Sequence, residues 1–179
     1  MDFKFRKANF KDIDELEKLI EISAKSINSS YYSELEINAA LGNAWTVDKQ
    51  LILDETYWVV ETQNGKLIGC GGWSKRRLLF GKSESLNFSE SKLNPDIEPA
   101  RIRAFFVHPT YTRMGIGKGL LKKCENEAEL HGFKTLELVA TLSGEKLYSA
   151  YGFKEIKTYE VELGNGITNK VVAMNKTLA

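Results

Sequence analysis

Apolar and polar residues alternate along this chain with two periods, and the switches between them mark out its elements. Phe3 and Phe5 alternate with Lys4 and Arg6, the period-two pattern of a short strand with one buried face. Asn9 and Asp12 then form a helix-start signal, a capping side chain followed by an acid in the first turn. Behind them Ile13, Leu16, Ile20 and Ile27 make a single apolar stripe that must pack on something flat. Tyr31, Tyr32 and Ser33 interrupt it. A second helix is predicted from Glu34 to about Leu41, stopping at Gly42, and a third short one within Trp45 to Leu53.

Thr56 to Thr62 is rich in β-branched and aromatic residues and reads as a strand. Asn64-Gly65 is a hairpin signal, so Lys66 to Trp73 is expected to pair back antiparallel, thinned by Gly69, Gly71 and Gly72 where a neighbour approaches. Residues 75–99 lose the periodicity and carry two basic arginines, several serines and two prolines. They read as a surface excursion or as a lid facing a substrate, since loops of this length in compact domains are often functional.

The sheet resumes at Arg101 to Val107 and is broken by His108-Pro109. Gly115, Gly117 and Gly119 let the backbone come close to a partner, and Ile116, Leu120, Cys124 and Ala128 recur on one helical face as far as the stop at His131-Gly132. Lys134 to Ala140 alternates again, so strand, helix and strand form a right-handed crossover with parallel strands. Ser143 is expected to cap a short helix from Gly144 to about Tyr151. A strand from Gly152-Phe153 to about Leu163, a turn at Gly164 to Gly166 and a last strand from Lys170 to Leu178 complete the chain.

The length of 179 residues suits one domain, 1–179, and the formal charge of +1 offers no general field for nucleic acid. No apolar run approaches the roughly 20 residues that span a bilayer, and the first ten residues lack the apolar core of a signal peptide, so a cytoplasmic protein that engages neither membrane nor nucleic acid is expected. Cys70 in a strand and Cys124 on an apolar helix face read as small core residues. With only two histidines, they make no metal-ligand spacing.

The chemistry concentrates at Phe105 to Leu121. A helix that starts in glycines directs unpaired amides, and the positive end of its dipole, at whatever precedes it, which makes an anion site. The phosphate loop of nucleotide hydrolases needs glycine where Thr112 stands and Ser or Thr where Gly119 stands. A dinucleotide fingerprint needs glycine at Leu120 and a shorter spacer than His108 to Arg113, although Glu137 lies about 20 residues on, where a ribose-binding acid belongs.

A third reading is a resemblance. The apolar triplet Phe105, Phe106 and Val107, a spacer containing Pro109, the loop glycines Gly115 and Gly117, and the later Tyr148, Gly152 and Phe153 together resemble the GNAT superfamily of N-acetyltransferases. The closest likeness covers residues 101–160. One departure is Thr112, where the family usually has Gln or Arg, Arg113 being displaced by one. The resemblance implies an α/β fold: a central, mostly antiparallel sheet splayed between two parallel central strands, with helices on both faces. It implies acetyl-CoA as acetyl donor, an amine acceptor that is either a small molecule or a protein amine, and direct attack on the thioester without a metal. Phe105, Phe106 and Val107 would hold the pantetheine arm, and the backbone of Arg113, Met114, Gly115, Ile116, Gly117 and Lys118 the pyrophosphate. Thr141 stands where many relatives carry an Asn that touches the coenzyme. Tyr148 would protonate the departing thiolate, as a neutral phenol can, with Tyr151 nearby as a core residue. Some relatives use a Glu before the triplet, but Arg101, Arg103 and Ala104 stand there, leaving His108, or Glu98 or Glu36 through a water, as candidate bases. His131 simply suits a helix end. The acceptor is expected to meet residues 29–41 and 75–99, neither of which has the charge bias of a polyamine or histone-tail site. Dimers are common in the family, so a homodimer fits the resemblance. The missing carboxylate leaves a runner-up, a coenzyme-A-binding sensor or regulatory module without catalysis.

Overall fold

The computed structural model describes residues 2–78 and 91–178, so the expected lid lies in good part outside the described residues. The chain runs β1 (Phe3–Lys7), α1 (Ile13–Ile27), α2 (Glu34–Ala40), α3 (Lys49–Leu53), β2 (Tyr57–Thr62), β3 (Leu67–Ser74), β4 (Ala100–Val107), α4 (Ile116–Leu130), β5 (Thr135–Thr141), α5 (Glu145–Ala150), β6 (Lys154–Gly164) and β7 (Ile167–Thr177). The seven strands form one sheet in the order β1-β2-β3-β4-β5-β7-β6, antiparallel except where β5 lies parallel to β4. This is the mixed architecture expected.

Alternation along the strands divides the core between two helical layers. On β2, Tyr57 and Val59 face Leu16, Ile20, Ile37 and Leu51 of α1, α2 and α3, while Val60 packs on the other face with Ile116 and Leu120 of α4. Farther along, Leu121, Cys124 and Ala128 of α4 meet Leu136 and Leu138 of β5 and Tyr148 of α5. Each such buried aliphatic side chain contributes about 1.5–3 kcal/mol.

Local chemistry sets the boundaries. Asn9 and Asp12 make a reciprocal capping box on a single 3-10 turn, Phe10–Asp12, that leads into α1. α3 begins only after Asp48, whose carboxylate accepts from the Gln50 amide at 3.0 Å; Trp45 is held instead by a bridge to Leu41. Ser143 does not cap α5. Its hydroxyl donates to Asn28 Oδ1 at 2.5 Å, and Thr141 Oγ1 takes the Gly144 amide at 3.2 Å. β7 starts three residues earlier than expected, because Asn165 and Gly166 both have positive φ, +56° and +73°, and close a two-residue hairpin that pairs Gly164 with Ile167.

β4 and β5 pair only at Ala100 with Leu136 and Arg101 with Glu137, where the Arg101 guanidinium also donates to the Glu137 carboxylate. Beyond this the two strands part. β4 is also bulged: one residue of β3, Gly71 between Cys70 and Gly72, opposes two of β4, Ala104 and Phe105 between Arg103 and Phe106. Ala104 takes φ +55° there, and its carbonyl accepts from Tyr57 Oη at 3.4 Å and Cys70 Sγ at 3.8 Å. The split opens the middle of the sheet.

Candidate active site

The split between β4 and β5 holds a cavity of about 610 Å³. One wall is the edge of β4 that has lost its β5 partner. His108 N donates to Ile68 O of β3 at 2.9 Å, so alternation along the strand turns the Val107 amide toward the open side. The end wall is the start of α4. Gly115 has φ +81° and Arg113 φ +64°, left-handed turns that coil the chain back so that successive amides face the cavity. The amides of Arg113 to Lys118 donate to no described atom, whereas the Gly119 amide returns to Gly115 O at 2.9 Å. Gly119 itself serves packing: a Cβ there would run into the ring of Phe5 on β1. The site is therefore a row of free donors beside a free strand edge, open to an anion at one end and to an extended chain along the other.

Phe105, Phe106, Val107, Arg113, Gly115, Ile116, Gly117, Lys118, Thr141 and Tyr148 all line this one cavity. Met114 does not line it, and its side chain is 39% exposed. Thr112 does, its hydroxyl donating to Pro109 O at 2.9 Å. Tyr148 packs between Phe105 and Phe153, with ring centroids 6.2 and 5.8 Å away, and its hydroxyl bonds to no described atom. Burial, and then the neighbouring Cys124, push its phenol above the ordinary value, so it stays protonated. Tyr151 is half-buried, packs against the core cluster that holds Tyr148 and also lines the cavity, with Lys118 Nζ 5.9 Å from its ring centroid.

The candidate bases lie elsewhere. Glu98 accepts from Arg77 and from the Asn94 amide at 2.7 Å. Glu36 belongs to the capping box of α2, and His108 Nδ1 accepts from the Thr110 amide at 3.3 Å. None of the three lines the cavity. His131 Nδ1 contacts the Glu127 carbonyl at 2.8 Å, and its ring packs on Trp73. Cys70 and Cys124 are fully buried free thiols.

The cavity also extends past Tyr148 to residues that the sequence did not single out. Ser23, Asn28, Thr46, Arg103 and Asn169 line this second lobe. Arg103 is buried and pairs with Asp48 at 3.1 Å. Thr141 and Ser143 hydroxyls, 2.9 Å apart, carry a chain of hydrogen bonds to Asn28 that ties the end of α1 to the start of α5.

A family model for the acetyltransferase (GNAT) domain matches residues 53–155, more than half of the chain. The chain belongs to the GNAT acetyltransferase family. It is accordingly an acyltransferase, and the split sheet and glycine-started α4 are the GNAT arrangement. No curated protein sequence matches it. Among solved structures it is similar to a GCN5-related N-acetyltransferase from Rhodopseudomonas palustris (TM-score 0.72, 19% identity, 99% of this chain and 97% of that one). It is also similar to the PaiA N-acetyltransferase of Thermoplasma acidophilum, solved in complex with coenzyme A (TM-score 0.65, 19% identity, 99% and 100%). A third similar structure is the YncA acetyltransferase of Salmonella typhimurium, solved with its cofactor acetyl-CoA (TM-score 0.64, 16% identity, 100% and 95%).

Proposed function

We propose that this chain, folded as a single domain, transfers an acetyl group from acetyl-CoA to a primary amine by direct attack on the thioester. The observation that carries this reading is the coincidence, in one cavity, of the free amides of Arg113 to Lys118, the unpaired edge of β4 and the unpartnered hydroxyl of Tyr148. Acetyl-CoA brings an activated acetyl group; the rest is done by this chain.

The pyrophosphate accepts hydrogen bonds from the amides of Arg113, Met114, Gly115, Ile116, Gly117 and Lys118, where the helix dipole also favours negative charge. Arg113, Lys118 and Lys146 line the same end of the cavity and add positive charge. The pantetheine amides pair with the open edge of Phe105, Phe106 and Val107 as a neighbouring strand would. The Val107 amide stabilises the negative charge that develops on the thioester oxygen. Thr141 borders the same arm from β5. As the amine nitrogen bonds to the carbonyl carbon and the carbon–sulfur bond breaks, the Tyr148 hydroxyl gives its proton to the leaving thiolate. The acceptor loses its own proton to solvent, because no described carboxylate lines the cavity.

Tyr148→Phe tests this assignment. The variant keeps the ring contacts with Phe105 and Phe153, so the dissociation constant for acetyl-CoA, measured calorimetrically, is expected to change less than about twofold. The kcat is expected to fall about 10²-fold or more, in line with loss of a general acid. Unchanged kcat would remove Tyr148 from the reaction.

A further inference from the structure

The second lobe of the cavity has a chemistry that says what kind of amine it takes. Its body is apolar, from Ile27, Trp45, Val161 and Leu163. Every charged residue among the described lining residues of the whole cavity is basic, and the one in this lobe, Arg103, already faces Asp48 at 3.1 Å. A second ammonium group on the acceptor would find no counter-charge among the described lining residues and would lose its hydration, at a cost that grows in an enclosed site.

One polar group in the lobe is conspicuously idle. Asn169 lies on β7 opposite Val161, and two residues from Val171, which pairs with Thr141 across β5. Period-two alternation puts Asn169 and Val171 on one face, and both line the cavity. Asn169 is only 3% exposed, yet its Oδ1 has no hydrogen-bond partner. Buried polar atoms in folded proteins are nearly always satisfied, so the side-chain amide of Asn169, a residue that lines the cavity, is the group a ligand there would engage.

We propose that this lobe is the acceptor subsite for a compact monoamine, whose apolar framework packs on Ile27, Trp45, Val161 and Leu163 and whose hydroxyl or amide hydrogen-bonds with the side-chain amide of Asn169. The assignment rests on the acetyl-transfer reading above. It excludes polyamines and extended lysine peptides as preferred acceptors.

The test is steady-state acetylation by the full chain at saturating acetyl-CoA. The probes are two hydroxylated and deoxy pairs, tyramine with 2-phenylethylamine and 4-aminobutanol with butylamine, set against spermidine and a lysine-containing hexapeptide. The monoamines are expected to exceed spermidine and the peptide in kcat/KM. In at least one pair the hydroxylated form is expected to lead by about tenfold. Asn169→Leu is expected to abolish that lead, leave KM for acetyl-CoA unmoved and raise the melting midpoint, because it removes an unsatisfied buried group. If Asn169→Leu fails to fold, Asn169→Ala serves the same comparison. Preference for spermidine or the peptide, the lack of a lead in either pair, or a lead that survives the substitution overturns the assignment while leaving acetyl transfer intact. Acetyl-CoA binding with no acetylation of any amine overturns acetyl transfer itself, and the subsite with it.

Discussion

Tyr148 occupies a position where burial supports its proposed role. A general acid must hold its proton until the thiolate departs, and burial raises this phenol above its ordinary value of about 10. The direction sets the pH dependence: the competent, protonated form persists below the raised value, so its loss belongs at higher pH than that of a free tyrosine. At saturating substrates, kcat is therefore expected to rise as the amine deprotonates and to show no falling limb at or below pH 10; a falling limb there would contradict the assignment. Tyr148 was legible because Gly152 and Phe153 follow it at fixed spacing. Other residues at this scale were not. Arg103 reads as one more basic residue in a strand, and only the fold brings the Asp48 carboxylate to it. The bulge at Ala104 was equally hidden, since alanine carries no signal for a left-handed turn; Tyr57 and Cys70 hold its carbonyl from a neighbouring part of the sheet.

Helix α4 leaves free amides at its start and packs the sheet along its length. Its apolar face and glycine-rich start were both legible from periodicity and spacing. What the spacing could not separate was the purpose of each glycine. Gly115, at φ +81°, turns the chain into the helix, whereas Gly119 lies against Phe5 of a strand more than a hundred residues earlier. The distinction is testable. Gly119→Ala gains helix propensity but forces Phe5 and β1 to shift, and is expected to cost about 1–3 kcal/mol in urea unfolding. A variant as stable as the parent would show that β1 accommodates the extra methyl group freely. The capping box of Asn9 and Asp12 follows its sequence signal directly, on the turn that leads into α1. Ser143 failed as a cap because its hydroxyl is drawn to Asn28, a partner that only tertiary structure supplies.

For the molecule as a whole, the hairpins and the crossover were legible because local turn chemistry and alternating periods specify them. The width of the split between β4 and β5 was not. It follows from pairing that stops at Arg101 and Glu137, which no local pattern announces. Asn169 escaped notice for a related reason: the tight turn at Asn165 and Gly166 starts β7 early enough to include it, and only the sheet register places it beside Thr141 and Val171. Together these features border one cavity, lined by the glycine-rich start of α4, by Tyr148 and by Asn169. Among the described residues no helix is long and apolar enough to cross a membrane. Acetyl is proposed to pass through this cavity from a thioester to an amine. The most direct measurement incubates the chain with carbonyl-labelled acetyl-CoA and the monoamine probes, and follows label and free thiol together. Label is expected to appear as N-acetyl amine in equal proportion to thiol released, and only when amine is present. Thiol release without acetylated amine, or no release with acetyl-CoA bound, would contradict it.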